Sequence, residues 1–213
     1  MSEFGKYAVV EGHDATGKST QVDILCRELD KEGIESVKIE EPAGSPISDE
    51  LRTIIKNGDL SRDGLTNLLL FTAARHETYR QIIEPALENG IWVVAARNWI
   101  STLAYQGAGE GIDSDEILEM TQRFTSEKYL NPDYLSVLVL KDETERRRRI
   151  RERGLLLNPD TFEGKDEQFQ EDVHNGYLQI VEDRGISVID ASPSADEVAA
   201  EIWRQVEPLT EAA

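Results

Sequence analysis

The chain is short of cysteine, of long apolar runs and of basic residues. Its single cysteine, Cys26, excludes an internal disulfide and a multi-cysteine metal site, and it agrees with a reducing compartment. The longest fully apolar stretch, Ile91 to Ala96, is far shorter than the roughly 20 residues that a membrane span needs. The first residues do not form the basic and apolar succession of a signal peptide. We therefore expect a cytoplasmic protein with no membrane partner.

The shortage of basic residues indicates which kinds of molecule the chain is suited to bind. The chain has 23 Lys and Arg against 42 Asp and Glu, which gives a formal net charge of −19. Nucleic-acid backbones are held by clustered Lys and Arg, so this balance argues against a nucleic-acid partner. Small anions can still bind where basic side chains converge. The length of 213 residues suits a single domain spanning residues 1–213.

Short β-rich runs alternate with helical patterns along the chain. The predicted strands are Lys6–Glu11, Ser36–Ile39, Ile91–Ala96, Leu135–Leu140 and Ile186–Ile189. Uninterrupted apolar strands are typical of a parallel sheet that is covered on both faces. Strands that alternate with helices of ten or more residues indicate a doubly wound fold. We predict an α/β domain with a five-stranded parallel sheet and helices on both of its faces.

Two helical segments between the strands have unusual composition. The long stretch from Asp63 to Glu88 is apolar on nearly every side around Leu68 to Ala74, so we expect it to be buried on more than one face. Between Lys141 and Gly154 the chain has seven basic and four acidic residues. We expect this arginine-rich helix to lead into a short mobile lid, at about residues 148–165.

A phosphate-loop motif lies between the first predicted strand and the first predicted helix. Residues Gly12–Ser19 (GHDATGKS) match GxxxxGK[ST] at every fixed position. In such a loop the backbone amides hold phosphate oxygens, the lysine reaches the β and γ phosphates, and the hydroxyl of Ser19 can ligate Mg²⁺. The expected ATP-binding residues are Gly12, His13, Asp14, Ala15, Thr16, Gly17, Lys18, Ser19 and Thr20. The motif alone does not identify the acceptor of the phosphoryl group.

Other short segments suggest the acceptor. They are EEPAGSP (residues 40–46), LLFTAAR (69–75), ARNWISTLAYQG (96–107), RRIRERG (148–154) and FEGKDEQFQEDVHNGYLQIV (162–181). Their order and spacing, together with the phosphate loop, resemble the thymidylate kinase family from the first strand to about Ile189. The resemblance implies a phosphate-loop kinase fold, a homodimer, and transfer of the γ-phosphoryl of ATP to dTMP with Mg²⁺, which gives dTDP and ADP.

The resemblance also implies roles for individual residues. Phe71 would stack on the pyrimidine, Arg75 would hydrogen-bond a thymine carbonyl, Tyr105 would crowd the 2′ position, and Arg97 would clamp the acceptor phosphate. The substrate-binding residues would be Asp14, Glu41, Pro42, Phe71, Arg75, Arg97, Ser101, Thr102, Tyr105 and Gln106, and the catalytic residues Lys18, Arg97, Arg149 and Arg153. Composition alone leaves open that Phe71 and Tyr105 are core aromatics. Arg75 is a charge within an apolar helix, so it needs an acceptor partner wherever it lies.

Four positions depart from the family pattern, and two alternative functions follow. Glu40 and Thr161 stand where the family has arginine, and Ala96 stands where it has aspartate. The acidic residue that often closes the fourth strand is also not evident near Leu140 and Lys141. One alternative is a kinase for dUMP or a 5-modified deoxypyrimidine monophosphate, because one methyl group is worth only about 1–3 kcal/mol of discrimination. The other is a non-catalytic nucleotide-binding regulator, in which Ala96→Asp would restore activity. A GTPase is disfavoured because the chain has no NKxD-like motif.

The local distribution of charge gives a last expectation. A protein that binds two anionic nucleotides must reverse its negative charge locally. We therefore expect Lys18, Arg75, Arg97 and the arginine-rich helix to form a positive cleft.

Overall fold

The computed structural model describes residues 4–152 and 160–211, without the side chains of Glu143 and Arg147. Within these residues the chain forms one five-stranded sheet of order β2-β3-β1-β4-β5. All neighbouring strands are parallel. The strands are β1 (Tyr7–Gly12), β2 (Ser36–Glu40), β3 (Trp92–Ala96), β4 (Tyr134–Val139) and β5 (Ser187–Asp190). The predicted five-stranded parallel sheet is confirmed, and each strand boundary agrees with the prediction to within one residue.

The described ranges contain ten α-helices. They are α1 (Lys18–Lys31), α2 (Pro46–Lys56), α3 (Gly64–Thr78), α4 (Glu84–Glu88), α5 (Trp99–Thr102), α6 (Ser114–Phe124), α7 (Glu127–Leu130), α8 (Glu143–Glu152), α9 (Glu167–Arg184) and α10 (Ala195–Thr210). A π-helical turn at Tyr79–Ile83 joins α3 to α4, and another at Leu103–Gly109 extends α5. The sequence analysis did not predict α5, α6 or α7. None of the helices in residues 4–152 and 160–211 is long and apolar enough to cross a membrane.

The sheet is buried on both faces, which explains its uninterrupted apolar strands. On β1, Ala8 and Val10 pack into a core with α1 and α10, whereas Tyr7 and Val9 pack into a larger core on the other face. Successive strand residues point to opposite faces, so both sets must be apolar when both faces are covered. Helices on both faces confirm the predicted doubly wound arrangement.

Helix α3 differs from the prediction. Leu68 and Ala74 are buried, but Leu65 and Leu69 are 45% and 52% exposed. Residues four positions apart share one side of a helix, and this side points away from the core. The expectation that the stretch is buried on nearly every side is therefore wrong at Leu65 and Leu69, although α2, α6 and the Leu103–Gly109 turn pack against other parts of the helix.

The carboxyl ends of three neighbouring strands bring distant segments together. β1 ends at Gly12, β2 at Glu40 and β3 at Ala96, and Glu40 and Ala96 are register partners. Ligands of open α/β sheets bind at this edge. The phosphate loop, the EEPAGSP segment and the segment after β3 therefore meet in one place.

Candidate active site

The phosphate loop is built around two glycines and one lysine. Gly12 has φ +139, and a Cβ there would lie 2.4 Å from the carbonyl oxygen of Leu138. Gly17 has φ +95 and is the residue immediately before α1. Both positions require glycine, because other residues rarely adopt this backbone conformation. The Nζ of Lys18 donates to the carbonyl oxygens of Gly12 and His13, each at 2.8 Å, so the loop wraps around the ammonium group.

His13 connects the loop to α9 and to the arginine-rich helix α8. Its Nε2 lies 3.1 Å from Oε1 of Gln170 and 3.5 Å from Nη1 of Arg146. Burial, and then the nearby Arg146, lower the pKa of His13 to about 3, so its ring is neutral. Arg146 is buried against the loop. The sequence analysis gave Arg146 no role of its own, and the contact with His13 ties the arginine-rich helix to the phosphate loop.

Asp14 and Arg97 form an ion pair between the loop and the segment after β3. Nη2 of Arg97 donates to Oδ1 of Asp14, and the hydroxyl of Tyr105 donates to Oδ2 at 2.7 Å. Burial alone would raise the pKa of Asp14, but Arg97 and Lys18 hold it well below its usual range. Arg97 has φ +74, a left-handed conformation that costs a non-glycine residue about 1–2 kcal/mol. The guanidinium is therefore charged and held in an unusual backbone conformation.

Beside this pair lies a cleft of about 230 Å³ with aromatic walls. Phe71, Tyr105 and Phe162 line it. The Phe162 ring lies 5.7 Å from the Phe71 ring and 5.9 Å from the Tyr105 ring, measured between centroids. Phe71 is only partly buried, so its ring is accessible from the cleft. Phe162 belongs to the segment matched by the resemblance, yet no role was predicted for it.

Arg75 closes the inner end of the cleft and is 5% exposed. Its Nε donates to Oε2 of Glu41 at 2.8 Å, its Nη2 donates to the carbonyl of Asn98 at 2.8 Å, and its Nη1 donates to the hydroxyl of Thr102. The predicted acceptor partner of Arg75 is confirmed, and it is Glu41. These bonds use three of the five N–H groups of a guanidinium.

Glu41 is itself held by a residue that the sequence analysis missed. The hydroxyl of Tyr129, on α7, lies 2.9 Å and 2.7 Å from the two carboxylate oxygens of Glu41. Burial raises the pKa of Glu41 to about 7, although Arg75 and Tyr129 favour its ionised form. Tyr129 stacks on Tyr7 of β1 with ring centroids 5.7 Å apart. No local pattern in the sequence indicated this contact, because the two tyrosines are distant along the chain.

Glu11, the residue before the phosphate loop, is a second residue that the sequence analysis missed. It is fully buried. Its Oε1 accepts from the backbone amides of Asn98 and Ser101, and its Oε2 accepts from the amide of Gly12 and the hydroxyl of Tyr177. A charge at the end of an apolar strand could have been noticed by the argument that identified Arg75.

The remaining predicted residues vary in how far they face the cleft. Ser101 and Thr102 are buried and bond to Glu11 and Arg75, and Gln106 donates to Glu110 at 3.2 Å. Four of the predicted residues that line the cleft are Pro42, Ser101, Gln106 and Ala15. Thr16 bonds within the loop, and Thr20 is exposed on α1.

Of the two predicted catalytic arginines near the lid, Arg149 lies on α8. Nε of Arg149 donates to Glu145 at 2.7 Å, four residues earlier on the same helix. Arg153 lies outside the described residues, as does part of the expected lid. Thr161, in the described part of the expected lid, accepts a bond from Arg62 at 3.0 Å.

The cleft is not positively charged. Among the described residues that line it, five are basic (Lys18, Arg52, Lys56, Arg75 and Arg97) and five are acidic (Asp14, Glu40, Glu41, Asp160 and Glu163). Most of them are paired across the cleft wall, as Arg75 is with Glu41 and Arg97 with Asp14. The expectation of a positive cleft is therefore wrong for this part of the site, because four of its five cations (Arg52, Lys56, Arg75 and Arg97) are each paired with a carboxylate.

A second cleft, of about 700 Å³, shares Asp14 and Glu163 with the first. It is lined on one side by Arg146 and Arg151 of α8 and on the other by α9. Two clefts that meet at the phosphate loop suit a donor and an acceptor nucleotide.

The residues present also fit Mg²⁺. The side chain of Ser19 is exposed at the start of α1 and lines the same cleft as Lys18. In residues 4–152 and 160–211 no group of three or more His, Cys, Asp or Glu could hold a metal. Mg²⁺ is usually bound through one or two protein oxygens, with phosphates and water completing its shell. One hydroxyl beside a phosphate site meets that requirement.

Taken with the parallel sheet, a glycine-flanked loop that wraps a lysine and opens on two clefts defines a phosphate-loop nucleotide kinase. A family model described as thymidylate kinase matches residues 10–202. The chain belongs to the thymidylate kinase family.

Individual relatives agree with this assignment. Thymidylate kinase from Magnetococcus marinus is 38% identical over 208 residues, which cover 95% of this chain and 96% of the relative. Thymidylate kinase from Exiguobacterium sibiricum is 34% identical over 207 residues, which cover 95% and 94% of the two chains. The crystal structure of thymidylate kinase from Ehrlichia chaffeensis superposes with a TM-score of 0.72 at 25% identity, and the match covers 94% of this chain and 98% of that one.

Proposed function

We propose that this chain is a dTMP kinase, which transfers the γ-phosphoryl of ATP to dTMP and gives dTDP and ADP. One observation carries the proposal. The cleft lined by Phe71, Arg75 and Tyr105 opens directly onto Lys18 and Arg97 beside the phosphate loop. A nucleoside monophosphate whose pyrimidine lies against Phe71 would thus present its 5′-phosphate to Lys18 and Arg97, which neutralise charge during transfer.

The base is recognised by shape and by fixed donors. The accessible face of Phe71 offers stacking worth about 1–3 kcal/mol. Arg75 is held by three bonds, and its two remaining N–H groups are available to a thymine carbonyl. Tyr105 is fixed by its bond to Asp14, and its bulk disfavours a 2′-hydroxyl.

Transfer depends mainly on position and charge. The acceptor is already an anionic phosphate, so no general base is required. Lys18 holds the β and γ phosphates. Arg97 holds the acceptor phosphate, and its left-handed backbone conformation is already present before substrate binds. Bound Mg²⁺, held by Ser19 and the phosphates, supplies further neutralisation of charge. Arg149 would join the site by exchanging Glu145 for a phosphate oxygen, and the catalytic role of Arg153 stays a prediction from the sequence.

The donor lies in the second cleft. ATP there would lie between Arg146 and Arg151 on one side and α9 on the other, and its phosphates would reach the phosphate loop where the two clefts meet at Asp14. The partners in this proposal are therefore two small anionic nucleotides, ATP and dTMP. A nucleic-acid partner is not part of it.

The protein acts as a cytoplasmic homodimer in this proposal. The exposed apolar side of α3, formed by Leu65 and Leu69, lies on a helix that packs beside α6, which carries the 39% exposed Phe124. Exposed apolar side chains grouped on neighbouring helices are typical of an interface. Light scattering should give the mass of two chains for the wild type and of one chain for Leu69→Glu, and an unchanged dimer in that variant would remove α3 from the interface.

The acceptor is tested with a panel of nucleoside monophosphates. ADP release with Mg·ATP is measured for dTMP, dUMP, a 5-hydroxymethyl analogue of dUMP, and dCMP. We expect the highest kcat/KM with dTMP. A higher value with dUMP or the modified base would favour the alternative acceptor, and tight dTMP binding without ADP release would favour the regulator, whose activity Ala96→Asp should then raise sharply.

A further inference from the structure

The carboxylate of Glu11 joins the phosphate loop to the segment that carries Arg97. Gly12, on one side, donates its backbone amide at 3.1 Å. On the other side the amides of Asn98 and Ser101 donate at 2.7 Å and 3.0 Å. One fully buried side chain therefore fixes the start of the loop and two residues of the segment after Arg97, Asn98 and Ser101.

The kink needs such support. Arg97 has φ +74, and a non-glycine residue keeps this conformation only when the surrounding structure enforces it. The amide of Arg97 bonds to the carbonyl of Val10 at 3.0 Å, and the next amide, of Asn98, bonds to Glu11. Bonds on both sides of the peptide thus come from the end of β1.

Glu11 also reaches the guanidinium of Arg97 through two hydroxyls. Ser101 Oγ lies 2.9 Å from both oxygens of Glu11, and the Tyr177 hydroxyl lies 2.9 Å from Oε2. Nη1 of Arg97 donates to Ser101 Oγ at 3.0 Å and reaches the Tyr177 hydroxyl at 3.5 Å. Because both hydroxyls give their protons to the carboxylate, their oxygens are left as acceptors for Arg97.

We infer that Glu11 is a positioning residue that presets Arg97 for the acceptor phosphate. It acts through Asn98, Ser101 and Tyr177 and touches no substrate. This inference rests on the proposed role of Arg97, so the two must be tested separately.

The test compares the affinities of dTMP and thymidine, which differ only in the phosphate, by calorimetry without ATP. Arg97→Ala should lower the affinity for dTMP but not for thymidine. If both ligands bind Arg97→Ala as they bind the wild type, the proposed role of Arg97 fails, whatever Glu11 does. Glu11→Gln should lower the affinity for dTMP about tenfold and leave thymidine within about twofold, because a charged acceptor with several donors is lost. In the double variant Glu11→Gln/Arg97→Ala, dTMP should bind no more weakly than in Arg97→Ala alone.

Two further variants keep the test decisive. Val137→Ala opens a cavity at the residue of β4 that is in register with Glu11, so it should lower the melting temperature and leave the dTMP-to-thymidine ratio unchanged. Tyr177→Phe removes one donor and one hydroxyl link, and it should reduce the ratio by about three- to tenfold even if Glu11→Gln does not fold. Equal weakening of both ligands, additive effects in the double variant, or an unchanged ratio in both Glu11→Gln and Tyr177→Phe would overturn the inference.

Discussion

Tyr129→Phe tests how the cleft keeps Arg75 in place. The change removes the hydroxyl that lies 2.7 Å and 2.9 Å from the carboxylate oxygens of Glu41, but it keeps the ring that stacks on Tyr7. Burial raises the pKa of Glu41 to about 7. As the pH falls through this value, Glu41 takes up a proton, and the ionised partner of Arg75 is lost. The affinity of the wild type for the pyrimidine should therefore weaken below about pH 7.

The size of the effect follows from the bond that is lost. A hydrogen bond to a buried charged group is worth about 1.5–3 kcal/mol, and about 1.4 kcal/mol corresponds to one pH unit. The hydroxyl favours the ionised form of Glu41, so its removal raises the pKa of Glu41 further. The midpoint of the affinity profile should move upward by about 1 to 2 pH units. Between the two midpoints, affinity should fall about tenfold per pH unit.

The assay is the dissociation constant of thymidine from about pH 6 to about pH 9, because thymidine has no phosphate that titrates in this range. The charged and titratable groups around Glu41 are Arg75 on α3, Tyr129 on α7, and Tyr7 and Glu11 on β1. Tyr134→Phe is the matched control, since it removes a buried hydroxyl of β4 outside the site. An unchanged midpoint in Tyr129→Phe, or an equal shift in Tyr134→Phe, would refute the reasoning.

Three further substitutions test other parts of the site. Lys18→Ala should abolish ADP formation and leave the circular dichroism spectrum unchanged, because its ammonium holds phosphate charge; unchanged turnover would contradict the role. Arg75→Ala should raise the KM for dTMP more than it lowers kcat, and urea unfolding should show a loss of about 3–5 kcal/mol, because Glu41 is left buried without its cation. A loss confined to kcat at saturating dTMP would count against base recognition. Tyr105→Ala should narrow the preference for dTMP over its ribonucleotide analogue in the ADP assay, and an unchanged preference would show that another residue excludes the ribose.

Features that follow from local pattern were predictable. The five strands and the phosphate loop are each encoded within a few neighbouring residues, and Gly12 and Gly17 mark two of the loop's turns directly in the sequence. The acceptor partner of Arg75 could be anticipated because a buried charge must be paired. Its identity as Glu41 could not, since the two lie 34 residues apart.

Features that depend on packing between distant elements were not predictable. Tyr129 meets Glu41 across 88 residues of chain, where its ring stacks on Tyr7, and Glu11 meets Tyr177 across 166 residues. The balance of charge in the first cleft has the same origin. Lys18, Arg75 and Arg97 are visible as cations in the sequence, but the carboxylates that face them are set by the tertiary structure. The exposed side of α3 was mistaken for a buried one because a repeating apolar pattern does not show what covers it.

The most direct measurement of the central claim follows the transferred group itself. ATP labelled at the γ-phosphate is incubated with the protein, Mg²⁺ and dTMP, and the products are separated and counted. The structure predicts that the label appears in dTDP, with one dTDP formed for each ADP, and that Lys18→Ala forms neither. Label found only in inorganic phosphate, or retained in ATP while dTMP is bound, would contradict a dTMP kinase.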